Sequence, residues 1–271
     1  MKYETVLVEK QGQTTVVTLN RPEKMNALSA AFFTEFKEVL ARLRADTDCR
    51  FVIFTAAGKA FSCGFDMSAE AIDDRYKRPG LGNERQWQFF AHDIMNAMEN
   101  LEQITIGAVN GVAVGGGVCL LLNCDFRIAS EHAAFRISET RLGMPLSWGS
   151  TPRLVALIGP SRTKELIMTC EKVGAEEALK IGLVNKVVPH DRLLPACQEM
   201  IDKIALSGPM AVKICKKQVN AASTSRFYDL YQFEADLMDI CFNSGDTTEG
   251  ITSFMEKRPP DFPSSKNKPA L

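Results

Sequence analysis

Two glycine-centred turns constrain this chain more than any other feature. Gly64 sits within Phe61-Ser62-Cys63-Gly64-Phe65-Asp66-Met67, and Gly115-Gly116-Gly117 follows the apolar stretch Ile104–Val114. Each turn falls near the end of an expected strand and before a helical or polar segment. Glycine reaches backbone angles closed to other residues and lets backbone amides approach a ligand closely. A helix opening near Gly116 would aim N–H groups and a partial positive charge at that ligand. Two such turns side by side suit an anionic oxygen; tight turns with close strand packing are the structural alternative. The triple glycine does not match the GxGxxG dinucleotide fingerprint, and no GxxxxGK[ST] phosphate loop occurs.

Around these turns, strand and helix patterns alternate. Thr5–Glu9 and Thr14–Leu19 read as a hairpin turning at Gln11-Gly12. After the loop 20–27, Ser29 can cap a helix whose apolar face carries Phe33, Phe36, Val39, Leu40 and Leu43. Phe51–Phe54 reads as a buried strand and 70–84 as a polar, mobile loop. Trp87, Phe90, Ile94, Met98 and Leu101 recur at helical spacing over 85–102. Ile104–Val114 reads as one strand, a short apolar helix runs from the glycines to Leu122, and short strands follow at Phe126–Ile128 and Phe135–Ile137. The alternation predicts an α/β core over 1–190. Beyond it only helices are expected, over 191–206, 209–222, 226–243 and 247–257, forming a helical C-terminal region over 191–271.

Composition narrows the function classes. With 32 Lys+Arg against 33 Asp+Glu, the net charge of −1 offers no basic field for nucleic acid. No apolar run reaches the roughly 18–20 residues of a membrane span, so no membrane insertion is expected. The opening MKYETVLVEK has no hydrophobic signal core. A cytoplasmic location is expected, with an organelle matrix left open. The eight cysteines contain no CxxC pair and the three histidines lie far apart, so neither a zinc site nor a disulfide framework is expected.

Glu139 follows the strand at Phe135–Ile137 among apolar neighbours. Desolvation there would raise its pKa and suit it to move a proton near neutrality, the alternative being a solvated surface glutamate. Several motifs then occur in order: Leu19-Asn20-Arg21-Pro22-Glu23-Lys24-Met25-Asn26-Ala27-Leu28, Phe61–Met67, Val109–Gly117 with Cys124-Asp125, Phe135–Gly143, Ala175–Val184 and Phe254–Lys257. Together they resemble the crotonase, or enoyl-CoA hydratase/isomerase, superfamily over essentially the whole length. The resemblance implies a spiral of ββα units, self-association as trimers or dimers of trimers, and an acyl-CoA thioester as substrate. No metal and no cofactor beyond the coenzyme A moiety of the substrate are implied.

By the same resemblance, the amides of Phe65 and Gly116 grip the thioester oxygen as an oxyanion hole. Such a donor is typically worth about 3–4 kcal/mol in a transition state. Glu139 is the proton carrier. Lys24, Met25 and Ala27 contact CoA, with Ser62, Gly64, Asp66, Met67 and Gly115 around the oxyanion turns. Met144 and Trp148 line the acyl pocket, and Phe254 and Lys257 approach the adenine or phosphates. The chain departs from the family's hydratases at one position. Cys119 stands where they generally carry a first glutamate, and a neutral thiol is no acid/base of similar strength. One carboxylate with an oxyanion hole fits Δ3,Δ2-enoyl-CoA isomerases, which is the expected reaction. Hydratase and hydroxycinnamoyl-CoA hydratase-lyase are the alternatives, the latter with Tyr228 or Tyr231 for a phenol. A non-catalytic acyl-CoA-binding scaffold is the alternative of another class.

Overall fold

The structure is a computed structural model describing residues 3–68, 81–224, 238 and 240–263. Strands β1 (Val6–Gln11) and β2 (Thr14–Leu19) form the expected hairpin. Its turn is Gly12-Gln13 rather than Gln11-Gly12, because Gln11 still pairs with Thr14 and Gly12 adopts φ 59°. Helix α1 (Ala30–Ala45) begins where Ser29 Oγ accepts from the Phe32 amide at 3.2 Å. Strand β3 (Phe51–Ala56) is buried along its whole length because both of its faces are covered.

The apolar stretch Ile104–Val114 is two strands, not one. β5 (Ile104–Val109) pairs with β3 and with β7 (Phe126–Ser130). β6 (Val112–Val114) pairs instead with β4 (Ala60–Ser62) and β8 (Ala134–Arg136). Asn110-Gly111, a dipeptide that marks turns, interrupts the apolar run at the break. Asn110 holds it by donating from Nδ2 to the Gly58 carbonyl at 2.8 Å. With β9 (Val173–Gly174) and β10 (Lys186–Val188), the strands make a six-stranded sheet ordered β1-β2-β3-β5-β7-β10 and a four-stranded sheet ordered β4-β6-β8-β9. Among the described residues only the β1–β2 and β8–β9 pairs are antiparallel.

This topology positions the site. β4, β6 and β8 are parallel neighbours, so their C-terminal ends share one edge of the small sheet. The Gly64 turn, the Gly115 turn and Glu139 follow those three ends.

Helices cover both faces of the large sheet. Val17, Leu19, Val52 and Phe54 share one core with α1 and with α2 (Leu81–Glu99), which contributes Ile94, Met95 and Met98. Phe51, Ile53, Ile104 and Ile106 point the other way and pack on Leu193, Ala196, Cys197 and Ile201 of α6 (Leu193–Ala205). Between them come α3 (Gly116–Leu122), α4 (Ser150–Thr169, kinked at Gly159-Pro160) and α5 (Ala175–Lys180). Helices α7 (Pro209–Thr224) and α8 (Asp246–Glu256) follow. Helix α2 begins at Leu81, so the last residues of the expected 70–84 loop are helical, while 69–80 lie outside the described residues. Most of the helix expected over 226–243, with Tyr228 and Tyr231, also lies outside them. Among the described residues no helix is long and apolar enough to cross a membrane.

Candidate active site

A cavity of about 380 Å³ opens at the shared strand edge, in the size range of small-molecule sites. The two glycine turns meet in its wall. Gly64 has φ 93°, and a Cβ there would stand 2.9 Å from the Val114 carbonyl and 3.5 Å from the Gly116 nitrogen. No larger residue could keep this conformation and this approach. The Leu28 amide donates to the Gly64 carbonyl at 2.8 Å, and the Asp66 amide donates to the Leu28 carbonyl at 3.1 Å. That bridge uses the groups on either side of Phe65 and turns the Phe65 amide away from Leu28. At the other turn, the Gly115 amide donates to the Arg136 carbonyl at 2.9 Å. The first α3 bond shown runs from the Cys119 amide to the Gly115 carbonyl, at 3.0 Å. The Gly116 N–H belongs to the first turn, where a helix supplies no acceptor.

Glu139 opens a 3-10 turn over Glu139–Leu142. Its carboxylate lies against the second glycine turn, since a Cβ at Gly115 would stand 2.6 Å from Oε1. Oε2 is enclosed and has no hydrogen-bond partner among the described residues. Burial pushes the Glu139 carboxyl above the usual range, and hydrogen bonds from the Glu139 and Ser138 amides offset this only in part. The turn itself is held from two sides. Thr140 Oγ1 donates to the Ile167 carbonyl at 2.6 Å, and Thr247 Oγ1 of α8 donates to the Gly143 carbonyl at 3.0 Å.

The cavity brings together Phe65, Gly64, Met67, Gly115, Gly116 and Cys119 with Glu139, Met144, Trp148 and Phe254. Trp148 packs on Gly116, where a Cβ would lie 2.7 Å from its ring, and Phe33 meets it edge-on at 5.4 Å. Lys24, Met25, Ala27, Ser62, Asp66 and Lys257 do not line the cavity. Ser62 is fully buried, donates to the Asn26 carbonyl at 2.8 Å and accepts from the Gly64 amide, so it shapes the turn. Asp66 pairs with Arg21 at 2.9 Å. Lys24 and Met25 lie beside the mouth, where the Cys63 amide donates to the Met25 carbonyl at 3.0 Å. Lys257 ends α8 in a left-handed conformation, φ 55°. Sequence reasoning missed Gln88 of α2 and Ile251 of α8, both in the cavity wall. Helical periodicity marks the buried face of a helix but not which part of that face meets a cavity.

A family model described as enoyl-CoA hydratase/isomerase matches residues 9–265. The chain belongs to the enoyl-CoA hydratase/isomerase family. It is 36% identical over 259 residues to a short-chain-enoyl-CoA hydratase of Clostridium acetobutylicum, covering 95% of this chain and 97% of that one. Among solved structures, an enoyl-CoA hydratase from Mycobacterium avium subsp. paratuberculosis K-10 superposes with TM-score 0.84 at 26% identity. That match covers 96% of this chain and 99% of the other. A monofunctional enoyl CoA isomerase from M. smegmatis gives TM-score 0.67 at 34% identity, over 84% and 98% of the two chains.

As a member of the enoyl-CoA hydratase/isomerase family, the protein is an acyl-CoA-transforming enzyme. Within its cavity Glu139 is the only carboxylate among the described lining residues, and the buried thiol of Cys119 lies in the same wall. A larger cavity of about 820 Å³ lies between α7 and the end of α3. It is a poorer catalytic candidate because its carboxylates are paired, Glu99 with Arg153 at 2.6 Å and Asp125 with Lys216 at 2.8 Å.

Proposed function

We propose that the protein shifts a carbon–carbon double bond of an acyl-CoA thioester from the 3- to the 2-position. The amides of Phe65 and Gly116 bind the thioester oxygen and stabilise the negative charge that develops on it. The Glu139 carboxylate removes a proton from C2. The electron pair delocalises into a dienolate, and the Glu139 carboxylic acid returns the proton at C4. The single observation that carries this reading is that Glu139 is the lone carboxylate among the described lining residues, enclosed and with no partner among them at Oε2. One base suffices for a proton that leaves and returns on the same molecule. In this reading Lys24, Met25, Ala27 and Lys257 contact the CoA outside the cavity, Phe254 reaches it from the cavity wall, and the working assembly is a trimer or a pair of trimers.

Hydration of a 2-enoyl-CoA is the second reading, favoured by the 36% identity to a chain named as a hydratase. The two separate in a paired assay of purified protein, with products identified by mass and NMR. One arm receives 3-enoyl-CoA and the other crotonyl-CoA in water. Double-bond migration that outpaces hydration is the expected result. Hydration that outpaces migration would replace isomerisation by the second reading.

A further inference from the structure

Helix α2 sets one amide into the cavity wall. Gln88 is only 2% exposed, lines the cavity beside residues such as Leu146, Trp148 and Met238, and its Oε1 has no hydrogen-bond partner among the described residues. An amide taken out of water without a partner is costly, and buried polar groups are ordinarily satisfied. Leucine or methionine would fit the same helix face without that cost. A polar group kept there has its partner in what fills the cavity.

We infer that Gln88 determines specificity by hydrogen-bonding an oxygen function, a hydroxyl or a keto group, on the acyl chain. The preferred acyl group is therefore oxygenated rather than a plain hydrocarbon. A hydroxyl donates to Oε1, and a keto oxygen accepts from Nε2. A plain chain leaves Oε1 unpaired and is discriminated against for that reason. The inference rests on the acyl-CoA reading above but not on which reaction follows.

The test uses saturated thioesters, which neither isomerise nor hydrate. Calorimetry compares hexanoyl-CoA with a positional series of its hydroxy and oxo derivatives substituted beyond C3, on the full-length protein and on Gln88→Leu. At least one derivative is expected to bind about tenfold more tightly than hexanoyl-CoA, a preference that falls to about one in the variant. The hydroxy and oxo arms tell the two oxygen functions apart. Gln88→Met, matched in length, repeats the test should the leucine variant fold poorly. The Tm of either variant is expected to match or exceed the parent's, whereas a glutamine acting as a structural hydrogen-bond partner would leave both less stable. Equal binding of hexanoyl-CoA and every derivative would overturn the inference, as would a preference that survives both substitutions. If no thioester binds at all, the acyl-CoA reading falls and takes this inference with it.

Discussion

Asp66 and Glu139 are two carboxylates placed beside the two turns that meet at the sheet edge, and their surroundings differ in one respect. Asp66 accepts from Arg21 Nη1 at 2.9 Å and from the Ser68 amide at 3.1 Å. Burial pushes its carboxyl up, but the Arg21 and Ser68 hydrogen bonds and the Arg21 charge outweigh this and hold it below the usual range. Glu139 has no ion pair among the described residues, since Arg136 and Arg141 of the same wall donate to the Cys170 and Thr169 carbonyls, so burial wins and its carboxyl is held high. Asp66 is thereby fixed as an anion that ties the Arg21–Ala27 loop to the first turn, since Arg21 Nη1 also donates to the Ala27 carbonyl. Glu139 is left able to exchange a proton. Partner supply, not residue type, separates a carboxylate that holds the fold from one that can do chemistry.

The largest expected effect comes from removing the reactive member. Glu139→Gln should lower turnover by about 10²–10⁴-fold, the usual worth of a general acid/base, with acyl-CoA binding retained. Turnover within tenfold of the parent, measured at saturating substrate, would remove Glu139 from the mechanism. Gly115→Ala sharpens the contrast without replacing either carboxylate. Its Cβ would fall 2.6 Å from Glu139 Oε1, at a backbone φ of 48°. A displacement of this kind costs about 10²-fold in rate, while the Arg21–Asp66 pair stays intact. An unchanged rate would show that the carboxylate position is not critical.

Arg21→Leu turns Asp66 into a second unpaired carboxylate. Breaking a fully enclosed pair costs about 3–5 kcal/mol, and the 22% exposure of the Arg21 side chain reduces this to about 2–3 kcal/mol. Urea denaturation reads the loss, and Asp66→Asn in the same chain should recover part of it. A loss below about 0.5 kcal/mol, the scale of ordinary surface substitutions, would make the pair incidental.

The smallest effects are in pH dependence, and they differ between the two groups. Glu139 must be ionised to take a proton, so the rate should fall as pH falls through a value above the usual carboxylate range. Its raised folded pKa gives stability that is full below the unfolded pKa and is lost as pH rises through the folded one. The Tm advantage of Glu139→Gln should therefore open as pH rises through that window. Asp66 has the opposite sign. Its depressed pKa gives stability present above the unfolded value and lost as pH falls through the folded one. Thermal melts of the parent, Glu139→Gln and Asp66→Asn across acid and neutral pH check both signs.

Much of this site was legible because its parts are local. A glycine at a strand end, a helix start and a carboxylate after the third strand are each written within a few residues. The motif order then placed Phe65, Gly116 and Glu139 in one family pattern. Three features were not legible. Asn110-Gly111 interrupts the apolar run, but only the pairing reveals that the halves on either side join different sheets. Ser62 and Asp66 read as ligand contacts by position, yet they face inward and bond to the chain. Gln88 sits beside Trp87 on a helix whose apolar spacing is blind to where a cavity forms.

By itself the sequence determined the alternation of strands and helices, the two flexible turns and the presence of one carboxylate after Phe135–Ile137. These follow from short-range sterics and from hydrophobic period, which act over a few residues. Only the tertiary structure decided that β4, β6 and β8 end at one edge, that Asp66 meets Arg21 and Glu139 does not, and that an amide of α2 lines the cavity. Each depends on which distant segments become neighbours, and burial or a charge partner exists only once they have.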